Sequence, residues 1–212
     1  EVVNKGGDKF ISQLDGQNVI RGRSEKMSKS KKNVVDPEVI ISEYGADTAR
    51  LFMLSDSPPD RDLDWTESGV EGAWKYINKL WRMIDAPKNN VLHEMIEEPK
   101  KLNIEMLEIK QKIHQTIQLV GSDIEKFHFN KAIARVRELT NILDSMDTEQ
   151  SSNSWIYQEG CKIIIRLLNP IMPHITEELW KKLGNKTFLA ETPWPEYDPS
   201  LLTKDNVIIG VQ

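Results

Sequence analysis

The sequence predicts a mainly α fold: a helix bundle preceded by a small α/β segment. Three observations carry that expectation. Apolar residues recur at helical spacing in five successive stripes between residues 70 and 183. Short polar or proline-bearing breaks separate most of them, as expected for helices that pack as antiparallel neighbours. The first 65 residues depart from the pattern, with short apolar-leaning runs around Asp15-Gly16 instead of a long period.

Residues 10–14 and 17–20 flank Asp15-Gly16, a dipeptide that favours a tight hairpin because both positions tolerate positive φ. A basic segment follows: Arg21, Arg23, Lys26, Lys29, Lys31 and Lys32, opposed by Glu25. Asp36-Pro37 reads as an N-cap and first helical residue, and Gly45 as the cap that ends this helix after Tyr44. A second helix is expected over 46–55, stopped by Pro58-Pro59. A charged connector then leads to Trp65. The stripes begin with Val70, Ala73, Trp74, Ile77, Leu80, Trp81 and Ile84, and Pro87 ends that helix. The next run from Leu102 to Ile124, from Phe129 to Leu143 and from Trp155 to Leu168, with 147–154 expected as a polar break. Asn169-Pro170 closes the fourth stripe, Pro173 opens the fifth helix and Gly184 caps it. Pro193, Pro195 and Pro199 interrupt regular structure, and 207–211 reads as a strand.

Composition bounds the function. The chain has 212 residues, 39% of them apolar, and a net charge of -5, so any nucleic-acid site must be a local patch. A single cysteine, Cys161, leaves no disulfide framework and fits a reducing, cytoplasmic setting. No apolar run approaches the roughly 20 residues of a membrane helix, so no membrane partner is expected. The first residue is Glu1, and the chain is expected to be a piece of a longer protein.

Residues 26–33 read Lys26-Met27-Ser28-Lys29-Ser30-Lys31-Lys32-Asn33. Two lysines three apart in a serine-bearing loop suit a polyphosphate gripped from two sides. A solvated basic loop or localisation signal is the competing reading. The ordered sequel, an extended exit and then a proline-initiated helix followed by Tyr44-Gly45-Ala46-Asp47-Thr48-Ala49-Arg50, favours the former.

Lys26 to Ser30 resembles the KMSKS signature of class I aminoacyl-tRNA synthetases. The stretch Ser57-Pro58-Pro59-Asp60-Arg61-Asp62-Leu63-Asp64-Trp65, with Gly69 to Ala73, is similar to the bacterial leucyl-tRNA synthetase family. The later Met172-Pro173-His174-Ile175-Thr176-Glu177-Glu178-Leu179-Trp180 and Pro193-Trp194-Pro195 fit the same family. The resemblance implies three parts: the end of a catalytic region over 1–65, an anticodon-binding bundle over 66–200, and the start of a further domain over 201–212. It implies leucine activation by ATP, accompanied by Mg2+, and transfer to tRNA(Leu) by a cytoplasmic monomer. Lys29 matches the ATP-contacting lysine, Lys26 is the expected second clamp, and Met27, Ser28 and Ser30 complete the ATP-binding loop. No His-Ile-Gly-His-like motif is present, so these 212 residues by themselves are not expected to aminoacylate. A sister synthetase for isoleucine, valine or methionine, and a non-catalytic helical RNA-binding or scaffold module, are the alternatives.

Within the bundle, Lys126, Lys131 and Arg135, with Arg137 nearby, are candidates for tRNA phosphate contacts, against the alternative of a solvated helix face. Trp74 and Trp81, seven apart on the first stripe, read as core rather than as a base-stacking platform. His174 with Glu177 and Glu178 lacks a third ligand, and no metal site is expected. Cys161 reads as a small core residue.

Overall fold

A computed structural model describes residues 2–4, 10–20, 22, 25–85, 92, 96–148 and 151–202. Arg21, Arg23, His93 and the strand expected at 207–211 lie outside them. The chain divides into two compact units, Glu1–Pro37 and Glu38–Gln212.

The first unit holds a three-stranded antiparallel sheet, β1 (Val2–Asn4), β2 (Phe10–Ser12) and β3 (Asn18–Val19), in that spatial order. The expected hairpin joins β2 to β3, pairing Phe10 with Val19 and Ile11 with Asn18. Gln17 N–H donates to Asp15 Oδ1 at 3.2 Å, and Gly16 takes φ 67°, which glycine adopts without steric cost. Ser12 and the Gln17 amide hold the Asp15 carboxyl below its ordinary range. β1 is an addition to the expected elements, since three residues are too few to show a period.

From Pro37 onward the described chain is helical: α1 (Pro37–Tyr44), α2 (Ala46–Asp56), α3 (Glu67–Asp85), α4 (Ile104–Glu125), α5 (Phe129–Asp144), α6 (Ser151–Leu168) and α7 (Pro173–Lys182). α4, α5 and α6 pack on one another, α2 lies on α3 and α5, and α7 lies on α3 and α6. Leu51, Val120, Leu139, Leu143, Leu167 and Leu179 are fully buried. Each such side chain contributes about 1.5–3 kcal/mol of transfer free energy. Gly160 lets α6 approach α5, because a Cβ there would meet Leu143 Cδ1 at 2.5 Å.

Two local expectations are corrected. α6 begins at Ser151, inside the expected polar break. Its polar start is internally satisfied: Asn153 Nδ2 donates to the Asp147 carbonyl at 2.8 Å and Ser154 Oγ to the Thr148 carbonyl at 3.1 Å. Polar side chains that bond backbone at a helix entrance favour that entrance. Trp74 is not core; it is 40% exposed and sits edge-on to Tyr44 at 6.2 Å. The buried face of α3 runs through Val70, Ala73, Tyr76, Ile77, Leu80 and Met83, which puts Trp74 and Trp81 at its margin. Lys182 lies over the Trp81 ring at 4.9 Å.

Tyr76 takes a core place because its hydroxyl finds a partner. It lies in hydrogen-bond contact with Thr140 Oγ1 at 2.9 Å, and Thr140 Oγ1 lies 2.8 Å from the Val136 carbonyl. Burial pushes the Tyr76 phenol up to about 12, against the opposing pull of Thr140 and Arg137. A folded-state pKa above the unfolded one stabilises the fold fully below the unfolded value of 10.0 and loses that contribution as pH rises through about 12. Thermal midpoints are therefore expected to fall as pH rises from 10 towards 12, and Tyr76 phenolate absorbance to appear together with the loss of helical circular dichroism. Tyr76→Phe should blunt that fall; an unchanged alkaline profile would count against the assignment. Burial likewise raises Cys161, to about 12, in keeping with a packing role.

Candidate functional site

The lysine segment folds on itself. Ser28 opens a single 3-10 turn over Lys29–Lys31; its backbone is extended and its hydroxyl accepts from Lys31 N–H at 3.3 Å. Ser28 N–H donates to Asn33 Oδ1 at 2.8 Å, while Asn33 Nδ2 donates to the Lys26 carbonyl at 3.4 Å. Asn33 thus ties both ends of the turn together. Ser28 and Ser30 hydroxyls lie 3.1 Å apart, and Lys32 leaves the turn in the left-handed region at φ 52°.

The cations in this segment are not equivalent. Lys31 Nζ sits 2.6 Å from Glu25 Oε2, which compensates its charge. Lys26 and Lys29 are exposed and make no ion pair among the described residues. Met27 is exposed between them. Lys32, at the exit of the turn, is likewise exposed and makes no ion pair among the described residues, and these uncompensated ammonium groups on a short, locally braced turn suit an anionic ligand with several oxygens.

In the helical unit, α2 and the entrance of α7 form a polar clamp. Met172 stands at the N-cap of α7 and has no side chain that accepts the orphan N–H groups. Asp47 does so from α2: its Oδ2 accepts from Ile175 N–H at 2.7 Å and its Oδ1 meets His174 Nδ1 at 2.9 Å. One turn along α2, Arg50 Nε donates to the Ile171 carbonyl at 2.8 Å and a terminal nitrogen to the Pro170 carbonyl at 2.9 Å. Asp47 is buried, whereas His174 is largely exposed. Glu177 braces the next segment, accepting from Leu189 and Ala190 N–H, each at 2.8 Å. Glu177 therefore serves backbone geometry, while His174 pairs with the Asp47 carboxylate.

Of the bundle cations, Lys126 caps the C-terminus of α4 and Lys131 lies in the first turn of α5, both exposed. Arg135 differs, with Nε 2.6 Å from Asp123 Oδ2 of α4. Arg137 lies over the Tyr76 ring at 4.8 Å.

Residues 16–66 match a family model described as tRNA synthetases class I (I, L, M and V), and residues 107–211 one described as the anticodon-binding domain of tRNA ligase. The leucine–tRNA ligase of Paramagnetospirillum magneticum is 52% identical over 212 residues, covering 100% of this chain and 24% of the relative. That of Rhodospirillum rubrum is 48% identical over 99% of this chain and 24% of the relative. The chain belongs to the leucine–tRNA ligase family. It spans about a quarter of the length of the curated relatives it matches. Among solved structures, a LeuRS chain of Agrobacterium radiobacter, from a LeuRS–tRNA–LeuAMS ternary complex, superposes with a TM-score of 0.73 at 31% identity. That likeness covers 84% of this chain and 23% of that one.

The leucine–tRNA ligase relationship gives the clamp a context. Asp47 and Arg50 lie in the segment that matches the class I model, and their partners at 170–175 lie in the anticodon-binding match. Sequence reasoning quoted both motifs without pairing them. The available signal was an uncapped helix entrance, Met172-Pro173, in need of an acceptor from elsewhere.

Proposed function

We propose that this chain is the section of a leucine–tRNA ligase that grips ATP through its lysine turn and docks tRNA(Leu) through its helix bundle. The observation that carries the reading is the pair Lys26 and Lys29, exposed and free of ion pairs among the described residues, on a turn braced by Ser28 and Asn33. The names of the relatives and the tRNA in the neighbour's complex support it. The leucine carboxylate attacks the α-phosphorus of ATP, which enters as its Mg2+ complex, and pyrophosphate leaves. Negative charge grows on the leaving oxygens, and Lys29, with Lys26, stabilises it where it develops. Met27, Ser28 and Ser30 shape the turn that presents them. Residues 1–65 then serve activation and 66–200 tRNA docking. The protein acts as a cytoplasmic monomer. Exposed Lys126 and Lys131 contribute phosphate contacts, with Arg135 held by Asp123 as a lesser contributor.

The test is amino-acid-dependent ATP–pyrophosphate exchange by the full-length protein carrying this chain, with leucine, isoleucine, valine and methionine side by side. Exchange strongest with leucine is expected. Exchange with another of the four overturns the specificity but keeps the mechanism. No exchange with any of them leaves a non-catalytic module.

A further inference from the structure

The turn between α4 and α5 holds an aromatic ring in solvent at the expense of backbone comfort. α4 ends in a Schellman motif: His128 N–H donates to the Asp123 carbonyl at 2.7 Å and Phe127 N–H to the Ile124 carbonyl at 2.9 Å. The residue at the crossing point must be left-handed, and glycine is the usual occupant because it has no Cβ to clash. The same motif ends α7, and there the left-handed residue is Gly184, at φ 85°. In the α4 motif it is Phe127, at φ 58°.

Packing does not account for that choice. Phe127 is 67% exposed. Its described ring contact is an edge-on approach to Phe129, with centroids 5.8 Å apart and planes at 85°, which sets the ring's direction while leaving most of it in solvent. A bulky side chain in the left-handed region that buries little is a local cost without a local return, and such positions point to function.

The surroundings name the ligand. Lys126 immediately precedes the ring and Lys131 lies in the first turn of α5, and both are exposed without ion pairs among the described residues. Residues 123–135 carry three Lys or Arg against two carboxylates, and one carboxylate, Asp123, is already engaged by Arg135 and lies 3.9 Å from His128. An exposed ring between uncompensated ammonium groups fits an unpaired nucleobase, with the ring on the base face and the lysines on the flanking phosphates.

We infer that Phe127 is a base-stacking contact for an unpaired nucleotide of the bound tRNA. This rests on the tRNA-docking reading given above and assigns it a residue and a chemistry. The decisive variant is Phe127→Gly in the full-length protein, since glycine removes the ring and relieves the backbone at once. Its thermal midpoint is expected to equal or exceed the wild type, and leucine-dependent exchange without tRNA to be unchanged. Affinity for a tRNA(Leu) transcript is expected to fall by about five- to a hundredfold. Phe127→Tyr keeps a stacking face and should restore most of that affinity. Lys131→Ala should instead flatten the salt dependence of binding by about one unit of logarithmic slope. Wild-type affinity in Phe127→Gly overturns the stacking contact alone. A wild-type protein that fails to bind the transcript overturns the docking reading and the contact with it.

Discussion

Lys29→Ala in the full-length protein is expected to slow leucine-dependent ATP–pyrophosphate exchange by about 100- to 1,000-fold, the range for losing one preorganised donor to a developing anion. Leucine binding should change far less, because the function proposed for this ammonium is to act where pyrophosphate charge accumulates and not on the amino acid. Lys31→Ala is the matched control. Its ammonium lies two residues away on the same turn but is compensated by Glu25 at 2.6 Å, so its loss should cost little. Lys26→Ala should fall between the two. Because the 3-10 turn is held by Ser28 and Asn33 and not by the lysine side chains, these variants should keep the turn intact. Single-turnover adenylate formation alongside exchange separates the chemical step from binding. A wild-type exchange rate in Lys29→Ala would refute the assignment.

The second large effect is on stability. Asp47→Ala removes the acceptor for Ile175 N–H and the partner of His174, and leaves the entrance of α7 without a side-chain cap among the described residues. A lost cap and an unsatisfied, part-buried N–H together cost about 2–3 kcal/mol. Asp47→Asn keeps a carbonyl acceptor and should lose less. Arg50→Ala strips donors from the Pro170 and Ile171 carbonyls of the same corner, so its effect should be less than additive with Asp47→Ala. Urea unfolding followed by circular dichroism reads all of these. An Asp47→Ala protein with the wild-type midpoint would mean that the clamp is incidental to α7.

Legibility in the sequence followed the range of the interaction. The fold class, the hairpin at Asp15-Gly16, the helix opened by Pro37 and the cap at Gly184 are all present in the structure. Each is written within a few residues, as a period, a turn residue or a cap. The margin of the first stripe was harder. A wide apolar face shows which side of α3 is buried but not where burial stops, so Trp74 appeared core and Tyr76, which needs Thr140 from α5, went unnoticed. The start of α6 was missed because its polar residues signal a loop until their backbone acceptors are seen.

The site divides along the same line. By itself the sequence determined the lysine turn: the residue types, their spacing, and the family they belong to, since chemistry carried by five adjacent residues is local. Only the tertiary structure decided which lysine is compensated, which helix caps α7 and which bundle cation is tied down. Those outcomes depend on partners such as Glu25 for Lys31, Asp47 for Ile175 and Asp123 for Arg135. The clamp closes over 128 residues of chain, and side-chain hydrogen bonds reach about 3 Å, so nothing short of the folded packing brings such groups together.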